Sequence, residues 1–498
     1  SLLVVQSNSN EPKKNNVLVV VSIRADGASP LTSNSVYCCR PTRVRFSLRA
    51  RKWFCMHNLV NRSTPSSLPM MMTVSLARLF VVVIALPLSF SSPSLQPVVL
   101  LNGLAGSSLN ARLNHTEEPH HYCDTKKSWY QIWLSPADLL PGVIDCFFHN
   151  IVLKFDPNTK TYRDTENVDI DGNVAWGTTK ALAYLDPALK SFHYFSEIIE
   201  ALENIGYVDG GSLVGAPYDW RLAPDGLDQK PTYSGGNTLP YFEKLKILIE
   251  TTVAFNGGRK AHIISHSMGG PVALAFLHRQ STAWKDQYIA SFIAISPPFG
   301  GSIKTVRAVL SGDNFDAPVV HENIFWPVQS TCASGPWLFP QPCLWDNDEK
   351  IITTPTASYG ARDWMNLLGD MPSLKQAKQM TQSGNLLTDT LGEKEFVAPK
   401  VPVAILRGIG VETQIGYEYN VDFKNVNNYS SAPPPTKVFS NKGGDGTVPN
   451  RSLARALKWR NEQTQPITYS LYPGAGHMSI LQNKYAIDHI LECVQTNH

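Results

Sequence analysis

Charge is scarce in this chain and nearly balanced: 17% of the 498 residues are charged, 44 basic against 41 acidic. With 33 glycines, 35 prolines and 43% apolar residues, the composition excludes collagen, coiled coil and a wholly disordered polymer. No internal repeat is evident. The small positive total hides an uneven spread, because residues 1–72 hold ten Lys/Arg and two Asp/Glu, leaving 34 against 39 in the rest. That remainder therefore lacks the basic stripe of a nucleic-acid binder, and no nucleic acid is expected as a partner. The length admits about three domains, but α/β enzymes with insertions often run longer as one, and one large domain is expected.

No apolar run reaches the roughly 20 residues that a spanning helix needs. Residues 1–70, rich in Ser, Asn and Arg and without a sustained period, read as a disordered or mistranslated leader. Residues 71–93 follow the order of a secretory signal peptide: Arg78, then apolar Leu79 to Leu88, then small residues from Ser89. A signal anchor is the alternative, although its apolar stretch is short. Beyond the leader only five cysteines remain, Cys123, Cys146, Cys332, Cys343 and Cys493. Their spacing suggests two short disulfide loops and one free thiol, in keeping with an oxidising lumen. Asn114, Asn428 and Asn450 stand in glycosylation sequons. The expected location is the secretory pathway: secreted, or the lumen of an endomembrane compartment such as lysosome or vacuole.

From residue 96, short β-branched runs alternate with helical patterns, which predicts an α/β fold with a mainly parallel central sheet. QPVVLLNG, SLVGAP, KAHIISHS, YIASFIAIS, VPVAILRG and PITYSLYP read as buried strands. Helical spacing covers Phe192 to Asn204, Tyr241 to Ala254, Met268 to Gln280 and Lys484 to Val494. The core is assigned to 94–300 and 400–498. Residues 301–399, with Pro, Trp and Cys clusters and weaker periodicity, read as a cap insertion.

The chemistry begins at AHIISHSMGGPVALAFLHR, where Ser267 stands between a strand and a helix among small residues. This is the context of a nucleophile elbow, whose tight turn exposes the hydroxyl. A serine needs a base, and the base an acid, so a carboxylate and a histidine should follow in that order. His477 in PGAGHMSIL sits just beyond the last expected strand and is the natural base. His262 and His266 are worse placed, since neighbours on the turn would point away from the hydroxyl. The acid has two candidates: Glu412, directly after VPVAILRGIG, and Asp445 in KGGDGTVP, whose glycines offer free amides to an ionised carboxylate. Asp445 is favoured. Backbone amides of Met268 and of Leu104, in the loop LLNGLAGSSL, are the expected oxyanion donors. The chemistry needs no metal or cofactor.

Taken in order, VVLLNGLAGSSLNARL, a cysteine pair around Trp133, GAPYDWRLAP, HSMGG, SPPFGGS, GDGTVP and GAGH resemble the lecithin:cholesterol acyltransferase family over about residues 96–490. The resemblance implies an α/β-hydrolase fold, with Ser267 as nucleophile, Asp445 as acid in preference to Glu412, His477 as base, and Leu104 and Met268 at the oxyanion positions. It also implies a disulfide between Cys123 and Cys146 closing a membrane-contacting loop over 120–148, with Trp133 in lipid contact, and a mobile lid from Gly300 to about Cys343. Two departures stand out. Ser107 and Ser108 replace the usual Asn or Gln beside the second glycine, and Cys332 with Cys343 could form only a local bridge unlike the family's second disulfide.

The cysteine-bounded loop independently suits a lipid surface, since it holds Trp129, Tyr130, Ile132, Trp133, Leu134, Leu139 and Leu140, followed by Phe147 and Phe148. Without a basic patch, attachment to a membrane or lipoprotein-like surface would be peripheral and chiefly hydrophobic. The expected function is transfer of a fatty acyl group from a phospholipid, through an acylated Ser267, to a sterol or other lipid alcohol. With water as acceptor the same chemistry is a phospholipase A or lipid ester hydrolase. A non-catalytic lipid-binding protein is the reading from another class.

Overall fold

Six runs rich in Val, Ile and Leu become the strands β1 (Val98–Leu101), β2 (Leu213–Gly215), β3 (Ala261–His266), β4 (Ile289–Ile295), β5 (Val403–Ile409) and β6 (Ile467–Pro473). In this computed structural model they form one sheet in the order β2-β1-β3-β4-β5-β6, with every neighbouring pair parallel. The structure describes residues 2–5, 19–22, 95–117, 120–140, 142–186, 190–231, 239–314, 323–427 and 434–496. Two compact units divide the chain between Ser91 and Ser92. In the first, Leu2–Val5 pairs antiparallel with Val19–Ser22. The rest of the expected leader, the expected signal peptide at 71–93 and the Asn428 sequon lie outside the described residues.

Parallel neighbours cannot be joined by tight turns, so helices must carry the chain back across the sheet. The principal ones are α1 (Ser196–Asn204), α2 (Tyr241–Phe255), α3 (Gly269–His278), α4 (Ile303–Ser311) and α5 (Lys484–Gln495). Side chains of a strand alternate between faces. Val98 and Leu100 of β1 join one apolar core with Ile264, Ile293 and the α1 and α5 residues Ile198, Leu202, Ala486 and Ile490. Val99 and Leu101 join the other with Ile263, Phe292, Leu245 of α2 and Leu274 of α3. Each such side chain contributes about 1.5–3 kcal/mol relative to exposure, so a strand covered on both faces reads as a nearly unbroken apolar run. These layers are those of an α/β-hydrolase fold.

One helix starts later than its spacing suggests. Ser191–His193 runs as a strand against Tyr184–Asp186 instead, and Phe192, at a φ of 56°, is half exposed. The amides of Tyr194 and Phe195 donate to the carbonyls of Ala183 and Leu182, which ties the chain down before α1 can begin. α4 opens the stretch after residue 300. Every residue of α4 is buried, including Lys304 and Arg307, which face the Asp313 carboxylate at 3.7 and 3.9 Å.

Outside the main sheet, Leu109–Asn114, Lys126–Trp133 and Val168–Asp171 form a three-stranded antiparallel sheet. A disulfide joins Cys123 to Cys146. The expected second bridge is absent: Cys332 and Cys343 are free thiols. Cys332 is carried into the interior, where its Sγ bonds to the Val328 carbonyl and burial pushes the thiol up to about 12. Cys343 is exposed and receives a hydrogen bond from Arg455. Among the described residues no helix is long and apolar enough to cross a membrane.

Candidate active site

β3 delivers the chain at full extension to His266, and the next residue reverses it. Ser267 has a φ of 53°, a left-handed conformation that costs a non-glycine residue about 1–3 kcal/mol and persists only where surroundings enforce it. The enforcement is visible in the glycines. A Cβ on Gly269 would lie 2.4 Å from the Asn102 carbonyl oxygen, one on Gly270 2.8 Å from Pro297, and one on Gly103 2.7 Å from the Cβ of Ser267. α3 can therefore start at Gly269, hard against the end of β1, only because those positions are bare. This is the geometry of a nucleophile elbow.

Three residues far apart in sequence meet at the sheet's C-terminal rim. His477 follows β6, and its Nε2 lies 2.8 Å from Ser267 Oγ while its Nδ1 lies 2.8 Å from Asp445 Oδ2. Asp445 is fully buried, and its Oδ1 accepts from the amides of Val448 at 2.8 Å and Thr447 at 3.1 Å. Burial by itself would push this carboxyl up. The charge and hydrogen bond of His477, with the two amides, outweigh it and hold the carboxyl below its ordinary value. The backbone adds a further tie, since the His477 amide donates to the Asp445 carbonyl at 2.7 Å.

Glu412 lies nearer to β5 in sequence, yet it is exposed and bonded to the Ser440 hydroxyl. A hairpin of Val411–Glu418 and Lys437–Gly444 explains the exchange. It leaves the sheet and returns the chain so that Asp445 pairs with Val411, beside Gly408 at the end of β5. The acid is thus topologically at the strand end although 35 residues of detour intervene between Ile409 and Asp445.

Facing the elbow is the loop after β1. Its Gly106 amide donates to the Gly103 carbonyl at 3.1 Å, making a tight turn around Leu104 and Ala105, whose φ is 58°. Trp133 Nε1 donates to the Ala105 carbonyl at 2.9 Å, and the Tyr218 hydroxyl donates to that of Asn102 at 2.8 Å. Ser107 and Ser108 are buried, and Ser107 Oγ donates to the Tyr218 carbonyl at 3.3 Å. Among the described residues, the amides of Leu104 and Met268 have no hydrogen-bond acceptor. Two such donors near a nucleophilic hydroxyl can stabilise an oxyanion.

A small apolar pocket opens beside Leu104, lined by Trp133, Trp220, Val309, Phe325 and Val328. Trp133 is buried here, edge-on to Trp220 at 5.2 Å and to Phe325 at 5.9 Å. The cysteine-bounded loop therefore divides. Ile132, Trp133, Leu134 and Phe147 pack inward, whereas Tyr122, Trp129, Leu140 and Val143 are exposed.

Sequence reasoning passed over two residues in contact with this site. Neither ring nitrogen of His266 is hydrogen-bonded to Ser267. The ring is hydrogen-bonded instead to the backbone of His477 and to Tyr194. Nothing in the sequence singles out Tyr194, which is 72 residues away; only the paired glycines at 103 and 106, against which its ring lies, hint that something large fills that space.

The fold and the site define a serine-dependent enzyme of the α/β-hydrolase class. The sequence pattern of the lecithin:cholesterol acyltransferase family matches residues 129–396 and 388–484, and the chain belongs to that family. Its relatives include the lysosomal phospholipase A and acyltransferase of Canis lupus familiaris, 33% identical over 389 residues, which cover 78% of this chain and 88% of the relative. The Homo sapiens protein of the same name is 33% identical over 390 residues, covering 78% and 87%. The phosphatidylcholine-sterol acyltransferase of Mus musculus is 30% identical over 396 residues, covering 79% and 84%.

Proposed function

We propose that this protein moves a fatty acyl group from a phospholipid to a lipid alcohol by a two-step route through Ser267. In the first step Ser267 Oγ attacks the ester carbonyl and its proton passes to His477 Nε2. The tetrahedral oxyanion is held by the amides of Leu104 and Met268, and Asp445 stabilises the imidazolium. His477 then protonates the departing lysolipid alkoxide, leaving Ser267 acylated. In the second step His477 takes the proton of the acceptor hydroxyl, whose oxygen attacks the acyl carbonyl and restores Ser267.

The observation that carries this reading is the continuous relay of Ser267, His477 and Asp445 with two 2.8 Å links. The apolar pocket beside Leu104 supports an acyl chain as the buried part of the substrate. Exposed Tyr122, Trp129, Leu140 and Val143 support peripheral docking of the disulfide-closed loop on a membrane or lipoprotein-like surface. A disulfide, together with relatives named as lysosomal, supports the lumen of the secretory pathway, a lysosome-like compartment or the cell exterior.

Phosphatidylcholine with a radiolabelled acyl chain, presented in vesicles with and without a sterol or another long-chain alcohol, tests the proposal. Label is expected in the alcohol's ester as well as in free fatty acid. Label found only in free fatty acid refutes the transferase reading and leaves a phospholipase. No release of label, and no fluorophosphonate labelling of Ser267, refutes the enzyme.

A further inference from the structure

His266 is one of the most enclosed titratable groups in the protein, 1% exposed, and the reaction above gives it no part. Its two ring nitrogens have different partners. Nε2 lies 2.9 Å from the backbone carbonyl oxygen of His477, and Nδ1 lies 2.7 Å from the Tyr194 hydroxyl. A carbonyl oxygen can only accept, so Nε2 carries the hydrogen. A neutral imidazole then has its lone pair on Nδ1, and the Tyr194 hydroxyl must donate to it. The Tyr194 oxygen in turn accepts from the Gly103 amide at 2.7 Å. Every hydrogen is thereby assigned, and the chain runs one way: Gly103 N–H to Tyr194 O–H to His266 Nδ1, then His266 Nε2–H to the carbonyl of His477.

Both ends of this chain matter. Gly103 immediately precedes Leu104, whose amide points to the oxyanion in the proposed reaction, and the other end is the backbone of the residue whose imidazole meets Ser267. Tyr194 is also the object around which the loop is folded, because a Cβ on Gly103 would come within 2.9 Å of its hydroxyl oxygen and one on Gly106 within 2.5 Å of its Cζ. Burial, with the neighbouring His477, pushes the His266 imidazole down to about 3, so the polarity of the chain persists in an acidic compartment.

We propose that Tyr194 and His266 are positioning residues that fasten the oxyanion loop to the histidine loop, holding the Leu104 amide and the His477 imidazole in one register about Ser267. The inference rests on the function proposed above. An ordinary buried hydrogen-bond cluster would stabilise the fold without favouring the transition state over bound substrate; a positioning chain acts on kcat.

The test uses the full chain and a water-soluble ester, p-nitrophenyl butyrate, so that membrane binding plays no part. Tyr194→Phe and His266→Leu are expected to lower kcat about 10- to 100-fold with KM within about twofold, an effect comparable to or smaller than loss of one oxyanion donor. The double variant should be no worse than the poorer single one, because the chain fails as a unit. His266→Gln supplies an acceptor and a donor on one side chain and is expected to keep kcat within about fivefold. Should His266→Leu not fold, Tyr194→Phe and His266→Gln carry the comparison. Wild-type kcat in Tyr194→Phe, or a loss in His266→Gln at or beyond that of Tyr194→Phe, overturns the positioning role. Wild-type enzyme that neither turns over the ester nor takes a fluorophosphonate on Ser267 defeats the functional reading itself, which is a different failure.

Discussion

Gly106 lies against the ring of Tyr194 so closely that a Cβ there would stand 2.5 Å from Cζ and 2.6 Å from the hydroxyl oxygen. The ring cannot retreat without breaking its bonds to Gly103 and His266. Gly106→Ala should therefore displace the oxyanion loop rather than the tyrosine. We expect kcat on a soluble ester to fall about 10- to 100-fold and stability to drop by about 1–3 kcal/mol, as for other overpacked sites. Steady-state kinetics and urea melts on the same preparation check both, and unchanged kcat with lowered stability would separate the loop from catalysis.

The choice between the two acids is open to a direct comparison. Asp445→Asn retains the shape of the buried site but loses the carboxylate that orients His477, and kcat is expected to fall by about 10⁴. Glu412→Gln, at an exposed carboxylate bonded to the Ser440 hydroxyl, should stay within about twofold. Equal losses in the two variants would contradict the assignment of Asp445.

Acid stability should carry a signature of His266. Its folded value of about 3 lies below the ordinary 6.5, so as pH falls the unfolded chain binds the proton first and stability is lost between those values. The groups facing it are the Tyr194 hydroxyl, the His477 imidazole and the Asp445 carboxylate. His266→Gln has no such proton to bind. Between pH 6.5 and 4.5 it is expected to lose about 2–3 kcal/mol less than wild type, from about 1.4 kcal/mol per pH unit. Urea denaturation at the two pH values measures the difference, and parallel losses in the two proteins would show that His266 is not held neutral.

The disulfide-closed loop presents two sets of apolar residues whose roles can be separated. Trp129→Ser with Leu140→Ser removes exposed surface and should weaken sedimentation with phosphatidylcholine vesicles at least about tenfold, leaving p-nitrophenyl butyrate turnover intact. Trp133→Ala should do the reverse, since it strips the bond to the Ala105 carbonyl and opens the pocket beside Leu104. A loss of vesicle binding in Trp133→Ala alone would place the interface elsewhere.

How much of this was legible in the sequence follows from which contacts are local. β1 to β5 could be read as buried strands because enclosure demands apolar runs such as Val98–Leu101, whereas β6, expected to be buried, is an edge strand with no buried residue. The elbow was equally plain, since a tight strand-to-helix turn needs small residues at Gly269 and Gly270. Asp445 was harder, as its position beside β5 depends on a hairpin that only the coordinates display. α4 carries apolar residues at helical spacing, Ile303, Val306, Val309 and Leu310, but its lysine and arginine, which would read as an exposed stripe, are inside. A bridge between Cys332 and Cys343 was a reasonable inference from spacing and wrong, because one thiol turns inward and the other to Arg455. Tyr194 could not be found at all from composition or period, for its importance lies in what folds around it.

The two apolar cores flanking the main sheet have one asymmetry with evolutionary weight. Among the described residues, the core that holds Tyr194, α1 and α5 draws none of its side chains from 301–399, whereas the opposite core draws many. Substitutions at the described positions of 301–399 can therefore reshape the cavity wall without replacing a side chain of the layer in which the tyrosine is seated. A lineage is free to diversify its choice of acyl donor and acceptor on one side of the sheet, and a chimaera that exchanges residues 301–399 between relatives inherits the other side intact.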